Sequence, residues 1–126
     1  MSTPFTLDGA LNLPGTPGLA AEPLPFSLSS QYDSKAEFEF NLPASAGSQS
    51  VNFGTMPSEG TKAIVLIYDT KTAAPPVQIV INGSATPVEL STGGFLVLGS
   101  PDPVAGITSL SITYTGAGRI RVWLLG

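Results

Sequence analysis

At 126 residues the chain has room for one domain with a real core, and its net charge of −4, with only five Lys and Arg, gives no footing for nucleic acid. It contains neither cysteine nor histidine, which excludes disulfides, thiolate metal sites, a cysteine nucleophile and the commonest general base near neutral pH. Charged residues make up 11% of the chain, against roughly 25% in ordinary soluble domains, so the surface is poor in charge.

The amino-terminal stretch MSTPFTLDGALNLPGTPGLA has no basic region, and Pro and Gly interrupt its apolar residues. It does not read as a signal peptide. No segment approaches the roughly 20 apolar residues of a membrane helix, so no membrane partner is expected and the expectation is a soluble intracellular product. Up to about Ser34 the chain carries Pro4, Pro14, Pro17, Pro23 and Pro25, Gly9, Gly15 and Gly18, and no Lys or Arg. Proline lacks the amide hydrogen that ladders and helices use, which predicts an extended arm over 1–34 with little regular structure. Yet Phe5, Leu7, Leu11, Leu13, Leu19, Leu24, Phe26 and Leu28 are spaced through it, and disordered segments are poor in such residues. The arm is therefore expected to lie along a surface, its own or a neighbour's.

Residues 35–126 read as a β domain. KAEFEFNL alternates, with Ala36, Phe38, Phe40 and Leu42 on one face and Lys35, Glu37 and Glu39 on the other. QSVNF is a short second strand. KAIVLIYDT is apolar from Ala63 to Tyr68 and reads as covered on both sides. In VQIVINGSATPVEL, Asn82-Gly83 suits a type I′ hairpin turn, which places Val77, Ile79, Ile81, Val88 and Leu90 on one face. Pro87 assigns the second of these strands to an edge. GGFLVLG follows, then a turn over SPDPVAG. The last pair, SLSITYT and RIRVWLL, is joined through Gly116 and Gly118; Leu110, Ile112 and Tyr114 share one face, as do Ile120, Val122 and Leu124. Arg119 and Arg121 point the other way, followed on that face by Trp123 and Leu125.

About eight strands and no helix predict an all-β antiparallel sandwich, jelly-roll-like or of related Greek-key type, with immunoglobulin-like topology as the competitor. No catalytic, cofactor or metal constellation emerges. Glu37 and Glu39 read as a solvated strand face. The one acid of SPDPVAG is too few for a calcium loop. Gly93-Gly94 leads into a strand, so it is no phosphate fingerprint, and no Ser-x-x-Lys motif occurs. The chain is not expected to be an enzyme. Arg119 and Arg121 could pair with Glu37 and Glu39 of a neighbouring strand or with an acidic patch on a partner.

Three segments, Ala63 to Tyr68, Phe95 to Leu98 and Ile120 to Leu125, are apolar on both faces, whereas a two-layer sandwich buries one face of each strand. Each aliphatic side chain left bare would forfeit about 1.5 to 3 kcal/mol. The cover is expected from the arm or from other subunits.

A short cysteine-free β domain with a Pro/Gly-rich arm, low charge and an ending GGFLVLGSPDPVAGITSLSITYTGAGRIRVWLLG resembles the small structural proteins of tailed-bacteriophage virions, especially capsid decoration or cement proteins. The resemblance is closest over Gly93 to Gly126. It implies a homo-oligomer, a trimer favoured, that sits on the capsid surface after passing through the host cytoplasm, contacts the major capsid protein and uses no cofactor. On that reading Phe5, Leu7, Leu11, Leu13, Phe26 and Leu28 are arm anchors, and Arg119, Arg121 and Trp123 lie near a subunit interface. The alternative is a tail or fibre module that binds host glycans, with loop residues around Tyr68, Tyr114 or Trp123 as a stacking platform.

Overall fold

The computed structural model describes residues 2–13, 22–54, 56, 61–70, 73–104 and 107–126. They form ten strands: β1 (Thr3–Leu13), β2 (Glu22–Tyr32), β3 (Lys35–Leu42), β4 (Gly47–Val51), β5 (Thr61–Tyr68), β6 (Val77–Ile81), β7 (Val88–Leu90), β8 (Phe95–Val104), β9 (Leu110–Tyr114) and β10 (Gly118–Leu125). Every pairing is antiparallel. β1 and β2 make a hairpin, and the remaining strands make two four-stranded sheets, β3-β10-β5-β8 and β4-β9-β6-β7. The all-β sandwich expected from the alternating pattern is present, its eight strands running from β3 to β10.

The core lies between the two sheets. From one come Ile64, Leu66 and Tyr68 of β5 with Ile120, Val122 and Leu124 of β10; from the other come Val77 and Ile79 of β6 with Leu110 and Ile112 of β9, all at most 2% exposed. Ala36, Phe38 and Phe40 of β3 and Leu96 and Leu98 of β8 pack around this cluster. Each set follows the two-residue alternation that a one-sided core imposes. Tyr68 can be fully buried because its hydroxyl donates to the Pro75 carbonyl at 2.9 Å.

The turn after β6 has the expected chemistry, with φ of 53° at Asn82 and 67° at Gly83. Ser84 N–H closes it on Ile81 O at 3.0 Å. Pairing nevertheless resumes only at Val88, with Val77 opposite Leu90 and Ile79 opposite Val88, a register two residues longer than a bare two-residue loop would give. Because two is the strand period, the predicted faces survive. The Asn82 carboxamide oxygen is engaged too, accepting from the amides of Thr108 and Ser109 at 2.9 and 3.1 Å. β7 is an edge strand, as Pro87 required.

Three expectations are corrected. The final pair is not a pair: β9 lies in one sheet and β10 in the other, so their link crosses the sandwich. SPDPVAG is not simply a turn, because β8 runs on through Pro101 and Pro103 to Val104. An edge strand tolerates that, having one side with no ladder to satisfy. Most consequential, the described parts of the arm are not irregular, since β1 and β2 pair over their full length from Thr3–Tyr32 to Leu13–Glu22.

The prolines permit this pairing by their spacing. Pro4 faces Gln31, Pro25 faces Ala10 and Pro23 faces Asn12, so all three fall on one alternate set of the ladder. Alternate positions of an antiparallel pair direct their N–H groups away from the partner, and a proline there costs no bond. Leu13, named as an anchor, lies at the hairpin's far end with its side chain outside the description, and Pro14, Pro17 and Leu19 lie wholly outside it.

The hairpin places one face against the outer surface of the β3-β10-β5-β8 sheet. Phe5 and Leu7 share a hollow with Ala63, Val65, Trp123 and Leu125; Leu7, Phe26 and Leu28 share another with Val97 and Gly99. The chain thus supplies part of its own cover. Lys62 Nζ donates to Gln31 O at 2.6 Å, and the amides of Asp33 and Ser34 both donate to Gly126 O, which fixes the base of the hairpin to the end of β10.

Close approach of the hairpin depends on Gly99, where an added Cβ would stand 2.9 Å from Leu28 Cδ2 and 3.0 Å from Leu7 Cδ2. A Gly99→Val substitution is expected to lift the hairpin and cost about 1–3 kcal/mol by overpacking. Its checks are a lower urea midpoint and a red shift in the emission of Trp123, the only tryptophan; unchanged emission would mean the hairpin does not rest there.

Candidate functional site

The outer face of the β3-β10-β5-β8 sheet is built in rows. Register sets Lys35, Leu125, Ala63 and Gly99 side by side, then Glu37, Trp123, Val65 and Val97, then Glu39, Arg121, Ile67 and Phe95. Each row passes from charged at β3 to apolar at β5 and β8. The hairpin lies over the apolar members of the first two rows. Ile67 and Phe95 of the third row line neither hollow beneath it, and Phe95 is 64% exposed.

At the charged end, Arg119 Nε stands 2.9 Å from Glu39 Oε1, and Arg119 and Arg121 share the Asp69 carboxylate, with their Nη1 atoms 3.8 and 3.5 Å from Oδ2. The Arg121 guanidinium carbon lies 4.8 Å from the Trp123 ring centroid, within cation–π range. Glu37 pairs with Lys35 at 3.4 Å rather than with an arginine. These side chains are 31–56% exposed, so the pairs are screened and each contributes no more than about 1 kcal/mol. They orient the arginines more than they stabilise the fold.

The structure therefore brings Arg119, Arg121 and Trp123 together on one face, and seats Phe5, Leu7 and Leu28 on the apolar side of the same face. Leu11 and Phe26 share the hairpin's apolar side but stay 53% and 50% exposed. Asp69 was missed by sequence reasoning. The alternation of KAIVLIYDT does put it on the side of Val65 and Ile67, but its pairing with Arg119 requires that β5 and β10 be neighbours across some 50 residues of sequence. Leu24, opposite Leu11 and 64% exposed, is the other omission; it carries the same alternating signal as Phe26 and Leu28.

Two residues proposed for a glycan platform are corrected. Tyr68 and Tyr114 are core side chains, 0% and 9% exposed, because the alternation that buries Leu66 and Ile112 buries them as well. Trp123 is half-buried beside the hairpin and engaged by Arg121. Among the described residues no three His, Cys, Asp or Glu side chains converge on a point. The face can offer apolar contact and paired charge.

Replacing Asp69 with Asn removes the carboxylate that the two arginines share. The expected outcome is a stability loss below about 1 kcal/mol that disappears near 1 M salt, measured by urea denaturation at low and high ionic strength. A larger loss that persists in salt would show that the cluster is structural.

Comparison with protein-family models, curated proteins and solved structures gives no match to this chain in any of the three.

Proposed function

We propose that the chain is a structural virion protein of the tailed-bacteriophage type, a decoration or cement protein that assembles as a homo-oligomer, trimer favoured. It binds the capsid surface after release into the host cytoplasm and bridges neighbouring subunits of the major capsid protein. The observation that carries this reading is the hairpin. Its inner half is seated on the body, with Phe26 at the margin of that seat, while Leu11 and Leu24 continue the same apolar face beyond it at 53% and 64% exposure. A monomer that functioned alone would gain nothing from an overhang of this kind, which costs apolar exposure and invites association.

Strand order supports the jelly-roll form of the sandwich. From β3 to β10 the chain alternates between sheets except for the β6–β7 hairpin, so that β3-β10-β5-β8 faces β4-β9-β6-β7. Such alternation accords with the winding of two interlocked Greek keys, an architecture used repeatedly by capsid proteins and lectins. Shell reinforcement suits a charge-poor protein, because many weak apolar contacts repeated over a lattice accumulate through avidity.

Removing residues 1–30 is a poor test, since it would also bare Val65, Trp123 and Leu125. The combined substitution Leu11→Ser and Leu24→Ser leaves the seated half, Phe26 included, intact. The unsubstituted protein is expected to show an oligomeric native mass and to co-sediment with purified shells of the virus that encodes it; the double variant is expected to lose at least tenfold in shell affinity with an unchanged circular dichroism spectrum. A monomeric mass with no sedimentation, or full retention by the variant, overturns the proposal.

A further inference from the structure

We propose that the β1–β2 hairpin is a hinged flap. In the folded protein it opens as a unit about Asp33 and Ser34 and bares Val65, Trp123 and Leu125, while the sandwich beneath stays folded. The inference does not depend on the virion reading, since it follows from how the hairpin is attached.

Backbone pairing is the first observation. β1 and β2 form a two-stranded sheet of their own, and among the described residues neither pairs with a strand of the sandwich. Lifting the hairpin therefore breaks no rung of either four-stranded sheet. Nor does it open the core, because no described side chain of β1 or β2 is buried or belongs to the cluster between the sheets. Phe5, Leu7 and Leu28, which rest on the sheet, are only half-buried.

The manner of attachment is the second. Its firmest polar ties gather at one end: the amides of Asp33 and Ser34 donate to Gly126 O at 2.8 and 2.9 Å, Gly126 N–H donates to Ser34 O at 2.9 Å, and Lys62 Nζ donates to Gln31 O at 2.6 Å. The first three fall on the two residues that link β2 to β3, so they fix a pivot. Past this base the seat is loosely filled. Hollows of about 180 and 360 Å³ remain along it, the first lined by Phe5, Leu7, Val65 and Trp123 among others, the second by Leu7, Leu28, Val97 and Gly99 among others. Packed interiors leave few voids larger than a water molecule, so this seat has the density of a surface contact rather than of a core.

Internal cohesion is the third. The Phe26 ring lies across Gly9, where an added Cβ would collide with it; Ser27 Oγ donates to Asp8 Oδ1 at 2.6 Å; and Phe5 and Tyr32 pair with ring centroids 6.1 Å apart. These contacts join strand to strand, so the hairpin detaches whole. Once off the sheet, a two-stranded ribbon is marginal in water, and its cross-strand amides exchange with solvent. Local openings of this kind cost less than global unfolding.

Hydrogen–deuterium exchange of the full chain, read by mass spectrometry, tests this. Amides of β1 and β2 are expected to exchange together and at least tenfold faster than those of β5 and β10. Equal rates in all four strands overturn the flap, because nothing then opens separately. A gradient of rates from the far end of the hairpin to its base also overturns it, because the hairpin then frays.

Two variants supply independent readings. The chain has no cysteine, so Leu28→Cys with Gly99→Cys can tether the closed flap; Leu28 Cδ2 already lies 2.9 Å from where a Gly99 Cβ would stand. Oxidation is expected to slow exchange in β1 and β2 at least tenfold, with reduction restoring it and β5 and β10 unaffected. A tether that forms without slowing exchange overturns the proposal. So does failure of the disulfide to form, which would mean that the hairpin does not rest there. Lys62→Ala removes a tie at the base, and is expected to speed exchange in β1 and β2 severalfold while β10 stays as it was. An equal gain in β10 would mean that hairpin and sandwich open together, against the flap.

Discussion

The burial of the outer face of β5 and β10 is the constraint on which the rest of the structure depends. A sandwich supplies one apolar interface, between its sheets, and a strand in it needs alternate residues only. β10 departs from that economy: Ile120, Val122 and Leu124 fill the core, and Trp123 and Leu125 face outward. β5 does the same with Ala63 and Val65. Water cannot be left against these side chains at a cost of about 1.5 to 3 kcal/mol apiece, so a third layer is required. The hairpin β1–β2 is that layer, and its base is held by the amides of Asp33 and Ser34 on Gly126 O.

The reason the hairpin can serve is written in its alternation. One face carries Phe5, Leu7, Leu11, Leu24, Phe26 and Leu28, and the other carries Thr6, Asp8, Ala10, Ser27 and Ser29. A two-stranded ribbon alone is marginal in water, since it has nothing on which to rest its apolar side. The sheet below gives it that support, and it gives the sheet its cover; neither surface is satisfied without the other. This mutual dependence links folding to the functional reading, because the apolar stripe continues past the point at which the chain's own sheet receives it.

Much of this was legible in the sequence, and the failures have identifiable causes. The faces of β3, β5, β9 and β10 followed from two-residue periodicity, and Asn82-Gly83 with Pro87 located a turn and an edge strand by backbone chemistry. Proline misled where it was counted rather than placed: five in 34 residues suggest a chain without a ladder, whereas Pro4, Pro23 and Pro25 at one parity fit an antiparallel ribbon. The pairing of Asp69 with Arg119 and Arg121, and the passage of the β9–β10 link between sheets, depend on strand order, for which periodicity carries no information. Periodicity tells which side of a strand is wet. It does not tell which strand lies next to it.

The two outer faces of the sandwich differ in kind, and this gives the molecule a direction. On the β4-β9-β6-β7 sheet the outward positions are Ser48, Ser50, Ser111, Thr113 and Gln78, set side by side by register as Ser48–Thr113–Gln78 and Ser50–Ser111–Val80. Hydroxyls and an amide hydrate well, so this face needs no cover and contributes little to association. The opposite face has an apolar side at β5 and β8, a charged side at β3, and a hairpin lying over part of the former. Among the described residues, the large apolar side chains that stand exposed, Leu11, Leu24, Phe26 and Phe95, lie on that side, with Val88 of β7 the exception. One face excludes water and the other binds it, so the two sides of the sandwich differ in chemistry as well as in cover.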